Sequence, residues 1–221
     1  MKQALIVQGG WDGHEPALVS ERFKKILEGH GFTVENSDSL SSFEDAERLM
    51  TLDLIVPCWT MSEISDVQCD NVAAAVESGV GIAGCHGGMC DSFRNSVQWQ
   101  FITGGQWVAH PGDDGTPYTV KITDKTHELT KGINDFDVCS EHYYLHIDPA
   151  VKVYATTEFP FVDGPHAANG KVDMPVVWTK YWGKGRVFYT SLGHHNDVFD
   201  IPEALELMTR GLLWAANGKH I

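Results

Sequence analysis

Two rhythms of apolar residues alternate along the first half of the chain. Ala4 to Gln8 is a short apolar run ending in Gly9-Gly10, the pattern of a buried strand and its turn. Pro16 to Gly31 then carries Leu18, Val19, Phe23, Ile26 and Leu27 at helical spacing, with Gly29 and Gly31 as stop signals. Further strands are predicted at Phe32–Glu35, at Asp53–Val56 closed by Pro57, and at Val80–Gly84. Helices are predicted over Phe43–Leu52, Val67–Ser78 and Cys90–Thr103. Strands joined by helices of this length pair in parallel through right-handed crossovers. Being apolar on both faces, they suit a sheet covered on both sides. The pattern predicts an α/β, doubly wound, mostly parallel sheet.

The second half changes character. Trp107-Val108, Tyr118–Thr123, Val151–Thr157, Val176–Tyr181 and Arg186–Leu192 read as strands, several with apolar/polar alternation. Gly183-Lys184-Gly185 signals a hairpin between the last two. Pro111 to Asp173 reads as a β-rich insertion of short strands and loops. Pro202–Ala216 reads as a closing helix with Leu205, Met208, Leu212 and Leu213 on one face. No linker, repeat or low-complexity run divides the chain, so residues 1–221 are read as one domain.

Composition narrows the partners. The formal net charge is −14, from 16 basic and 30 acidic residues among 221. Such a surface repels phosphate, which argues against nucleic acid and anionic membranes and suits a neutral small molecule. The apolar run at the N-terminus is too short for a signal peptide or membrane span. The 5 cysteines are an odd count without CxxC spacing, so a reducing cytoplasm is the natural compartment. The aromatic-rich second half is compatible with a homodimer.

Ligands of open parallel sheets bind beyond the carboxyl ends of the strands. After the first strand that edge offers Gly10, Trp11 and His14, and after the third, Trp59. After the fourth it offers Cys85, His86 and Gly87. Gly84-Cys85-His86-Gly87-Gly88 has the spacing of a nucleophile elbow, G-x-nucleophile-x-G, with histidine at the displayed position. Histidine there suits proton transfer better than covalent catalysis. Cys85 would point away from the pocket.

After the late strand come His194 and His195. Adjacent side chains rarely point the same way, and His194, directly after Gly193, is the favoured partner. Ser140 to His146 brings Glu141, His142 and Tyr143 together; as one strand it would place Glu141 and Tyr143 on one face and His142 on the other. His110 ends a short strand and is a further pocket candidate. Trp11 and Trp59 sit at strand ends, where an indole face suits a sugar ring. No nucleotide fingerprint, HExxH or Cys/His finger is present, so no cofactor is predicted. A divalent metal such as zinc, held by loop residues such as His86, His194 and Glu141, stays open.

Taken together these segments resemble the ThuA-like (trehalose-utilisation) family of the class I glutamine amidotransferase-like superfamily. The resemblance is carried by Gly84-Cys85-His86-Gly87, by Gly104-Gly105-Gln106-Trp107 running to His110-Pro111, and by Thr126 to Ile133. It is carried as well by Glu141-His142-Tyr143-Tyr144, by Pro175 to Trp178, and by Gly183 through Tyr189 to Gly193-His194. It implies a flavodoxin-like sheet and a sugar as small-molecule ligand. Members of that superfamily with glutaminase activity use a cysteine at the elbow; His86 stands at that position here, which argues against a glutaminase. The resemblance leaves an enzyme of carbohydrate catabolism, working on a sugar or keto-sugar by acid/base chemistry of His86 with His194 or His195 and Glu141. A sugar-binding protein without turnover, a metal-assisted hydrolase and a hydrolase using Cys85 are the alternatives.

Overall fold

A computed structural model describes residues 1–160 and 162–220. The parallel half is built from β1 (Lys2–Gly10), α1 (Pro16–Gly29), β2 (Phe32–Ser37), α2 (Ala46–Thr51), β3 (Leu54–Thr60), α3 (Asp66–Ser78) and β4 (Gly81–Cys85). Two short helices follow, α4 (Gly87–Cys90) and α5 (Val97–Thr103). Then come β5 (Gly105–Ala109), β6 (Thr116–Ile122), β7 (Phe136–Ser140), β8 (Tyr144–Ile147) and β9 (Lys152–Phe159). The chain closes with β10 (Val172–Trp182), β11 (Gly185–Thr190) and α6 (Pro202–Ala216).

The main sheet has nine strands in the order β2-β1-β3-β4-β11-β10-β9-β6-β7. From β2 to β11 all neighbours are parallel; from β11 onward all are antiparallel. The parallel part has the flavodoxin-like order, and the β-rich second half extends the same sheet. A separate two-stranded sheet pairs β5 with β8. Strand alternation divides the core. Ala4, Ile6 and Val56 face a layer with Phe23 and Leu27 of α1 and Met208 and Leu212 of α6. Leu5, Val7 and Ile55 face the opposite layer, with Val72 and Val76 of α3 and Trp99 of α5.

Several boundaries differ from the sequence reading. Of the helix predicted over Cys90–Thr103 only α5 forms, while α4 ends at Cys90 and residues 91–96 are turn: Asp91 grips Arg94 through both carboxylate oxygens (2.6 and 2.9 Å) and Ser96 caps a new start at Trp99 N. The helix predicted over Phe43–Leu52 begins at Ala46, where the Asp45 side chain accepts from Arg48 N. β3 runs through Pro57 to Thr60; its ladder to β4 holds only at Leu54 and Ile55, so on that side the missing N–H breaks nothing. On α6, Leu207 is buried, whereas Leu205 and Leu213 are only partly so. The segment 140–146 is not one strand: β7 ends at Ser140, β8 begins at Tyr144, and Glu141-His142-Tyr143 forms a buried corner between two sheets.

Candidate functional site

The loops after β1, β4, β7 and β11 converge at one edge of the sheet. His86 occupies the elbow between β4 and α4 with φ 47° and ψ −136°, a strained conformation that displays its side chain. Its backbone N–H donates to Thr190 O (2.7 Å) and its carbonyl accepts from Tyr189 Oη (3.0 Å). The ring is 1 % exposed and stacks on Tyr143 at a centroid distance of 3.8 Å. Nδ1 donates to the Ser191 carbonyl (2.9 Å), and Nε2 lies 3.1 Å from Glu141 Oε2.

His14 comes from the turn after β1. Its Nδ1 is 2.9 Å from Thr60 Oγ1, and its Nε2 is 4.0 Å from Glu141 Oε2. The ring lies so close to Gly87 that a Cβ there would fall 2.5 Å from His14 Cε1. His194 follows Gly193, whose φ of 102° turns the chain inward. Its Nδ1 lies 3.2 Å from the same Glu141 oxygen, without the direction of a hydrogen bond. Three imidazoles therefore surround one carboxylate oxygen, with ring centroids 4.7 to 5.3 Å apart.

Burial would raise the pKa of Glu141, but the ring nitrogens of His194 and His86 beside it outweigh that and hold the carboxyl well below its usual range. Burial is the main cause that pushes His14 down to about 2, helped by the neighbouring His86 and His194. It also lowers His86, against the pull of Glu141. At neutral pH the cluster is one fixed anion among buried imidazoles, of which His14 and His86 are disfavoured as cations.

A pocket of about 300 Å³ opens above this cluster, with His14 and Glu141 in its floor. Trp11, Trp107 and Tyr143 supply aromatic walls, and the Asp91–Arg94 pair closes one side, with the guanidinium 4.2 Å from the centre of the Trp107 ring. His110 stands at the rim, its Nδ1 3.1 Å from Asp113 Oδ1 and 3.8 Å from Glu141 Oε1. A larger groove of about 360 Å³ lies between α5 and β8. It lacks any comparable cluster, and its Asp148 is taken by Lys180.

The structure thus gathers His14, His86, Glu141 and His194, with Trp11, His110 and Tyr143 around the pocket. Other sequence candidates lie outside. His195 is 35 % exposed at the side chain and faces Asp114 and Glu15. His142 turns away to stack on Tyr118 and Phe159, and burial lowers it to about 4. Gly10 serves close backbone contact, since a Cβ would fall 2.0 Å from Thr60 O. Gly87 serves the His14 ring in the same way. The Trp59 indole donates to Ser62 Oγ (2.7 Å) and does not line the pocket. Cys85 is 3 % exposed, and burial pushes its thiol up to about 12. Met61, Asp91 and Arg94 have no place in the sequence reading; an Asp-x-x-Arg step directly after the elbow helix was the available signal for the last two.

A doubly wound α/β domain with a polar site at its strand ends defines the class. The chain belongs to the trehalose-utilisation (ThuA) family, whose model matches residues 3–215, and membership suggests a role in sugar metabolism. Among solved structures it is similar to a ThuA-like protein of Bacteroides uniformis, at 19 % identity and TM-score 0.78 over 97 % of this chain and 91 % of that one. A ThuA-like protein of Parabacteroides merdae gives 20 % identity and TM-score 0.74 over 99 % and 91 %. A cytoplasmic protein of Salmonella typhimurium LT2 gives 14 % and 0.63 over 100 % and 99 %. At these identities the likeness is one of fold. No curated protein matches the chain. Among the described residues no helix is long and apolar enough to cross a membrane.

Proposed function

We propose that the protein is a cytoplasmic enzyme of carbohydrate catabolism that binds a sugar or keto-sugar in the pocket above Glu141 and works on it by acid/base chemistry. The observation that carries this reading is the pairing of aromatic walls with an ionic floor. Trp11 and Trp107 offer ring faces to the C–H surface of a pyranose, while Glu141 and His110 meet its oxygens. A keto-sugar has acidic protons next to its carbonyl, and their removal opens both isomerisation and β-elimination. His110, at the rim beside Asp113, is placed to take and return such a proton. His86 and His194 are 1 % and 3 % exposed; their part is to hold Glu141 beneath the substrate. A thiol route through Cys85 is disfavoured by its burial and its high pKa.

The test is a panel of disaccharides and their oxidised keto forms, incubated with the protein and followed by NMR. We expect turnover of at least one keto-sugar, lost by about 100-fold or more in His110→Ala, and a raised KM in Trp107→Ala. A panel without turnover, or an undiminished rate in His110→Ala, rejects the reading. Binding without turnover assigns the pocket to a sugar-binding protein instead.

A further inference from the structure

We propose that His14 Nε2, His86 Nε2, His194 Nδ1 and Glu141 Oε2 are the ligands of one divalent transition-metal ion of the zinc class. The four atoms lie within 4.8 Å of one another. Glu141 Oε2 is 3.1, 3.2 and 4.0 Å from the nitrogens of His86, His194 and His14. Ligands about 2.0–2.1 Å from a tetrahedral ion stand roughly 3.3 Å from each other, so these spacings are close to a preformed site.

The direction of the groups points the same way. In a tetrahedral set each nitrogen aims at the ion, about 35° aside from its neighbouring ligand. His194 Nδ1 is 3 % exposed at the residue level and 3.2 Å from Glu141 Oε2, yet it does not point along a hydrogen bond to it. The outer nitrogens are anchored as metal-binding histidines require. His86 Nδ1 donates to Ser191 O, which leaves the Nε2 lone pair facing inward. His14 Nδ1 meets Thr60 Oγ1, which aims its Nε2 at the centre.

Proton bookkeeping alone leaves this cluster unexplained. His86 donates from Nδ1 to a carbonyl, so a neutral ring turns its Nε2 lone pair toward the Glu141 oxygen 3.1 Å away. Three imidazole nitrogens converge on one carboxylate oxygen, an arrangement that a Lewis acid at their centre satisfies. Three nitrogens and one carboxylate, without thiolate, suit zinc, cobalt, manganese or ferrous iron; calcium would want six or more oxygens.

The proposal rests on the sugar reading only for what the ion would act on. A dication would turn the anionic floor into a centre of net charge +1, which favours the negative charge that develops on a sugar carbonyl when a neighbouring proton leaves.

The full-length protein, stripped with chelator and dialysed, is to be titrated with Zn²⁺ and with Co²⁺. We expect one ion per chain by elemental analysis, a visible cobalt spectrum of low-coordinate N/O type, and a rise in Tm on binding. Glu141→Gln and His194→Ala, with folding checked by circular dichroism, should weaken binding by about 100-fold or more, and Thr60→Val by about tenfold. Affinity unchanged in folded variants, or neither stoichiometric binding nor a Tm rise in the wild type, overturns the site. The wild-type Tm and Thr60→Val decide it even where the ligand variants misfold. Stoichiometric metal without turnover of any sugar supports this site and sinks the sugar reading. Turnover in protein that binds no metal does the reverse.

Discussion

Cys85 and His86 are neighbours in sequence with opposite fates, and the elbow decides between them. The positive φ at His86 swings its ring toward Glu141, while Cys85, as the last residue of β4, keeps its side chain among Val19, Cys58 and Gly193. Burial raises the Cys85 thiol to about 12, so the thiolate fraction at pH 7.5 is negligible. Cys139 is exposed. Brief treatment of the native protein with iodoacetamide at pH 7.5, read by mass spectrometry, should therefore modify Cys139 and spare Cys85. Alkylation of Cys85 in the folded state would reopen the thiol route. At this scale the sequence was legible where spacing alone sets direction: G-x-H-x-G turns His86 toward Glu141 and Cys85 toward Val19 and Cys58. It favoured His194 over His195 only narrowly, because the choice depends on Gly193 adopting φ 102° against the Phe199 ring.

The elements most clearly written in the sequence are those with local causes. Helices α1 and α3 and the Gly183-Lys184 hairpin follow from periodicity, caps and a glycine at φ 57°. The corner at Glu141 was not legible, because β7 and β8 belong to different sheets and only tertiary pairing separates them. What holds that second sheet is partly ionic. Lys180 of β10 is 7 % exposed and donates both to Phe101 O at the end of α5 and to Asp148, just past β8. Its hydrogen bond holds the Asp148 carboxyl below the usual range, with help from Ala150 N–H. A carboxyl depressed in the folded state stabilises above its unfolded pKa and loses that contribution as pH falls through the folded value. Wild type should thus unfold at higher denaturant than Asp148→Asn at pH 7. The advantage should be flat above about pH 5 and shrink from about pH 4 downward. An advantage that persists or grows in acid would show that the pair does not act through this charge.

For the whole molecule, the question is whether a sheet half parallel and half antiparallel behaves as two units or one. The sequence changes character near residue 104, where the helical rhythm stops, yet no linker marks a boundary there. The packing argues for one. β11 is parallel to β4 on one edge and antiparallel to β10 on the other, so a single strand belongs to both halves. Both core layers cross the same line: Ile6 and Phe23 share a cluster with Tyr154 and Val176, and Leu5 and Val72 share one with Trp178 and Tyr189. Phe188, on β11 and fully buried, packs against Gly211 so closely that a Cβ there would fall 2.2 Å from its ring. Far-ultraviolet circular dichroism reports mainly on the helices, which cluster on the parallel half. Tryptophan fluorescence reports also on Trp107, Trp178 and Trp182 in the other. Guanidinium denaturation followed by both should give coincident curves with one midpoint. Phe188→Ala should lower both midpoints together, at a cost of about 3–5 kcal/mol, since it opens a cavity at the strand the halves share. Two separated transitions, or a variant that shifts only one probe, would mean that the antiparallel half folds by itself, and that Glu141 reaches the histidines across a boundary able to open.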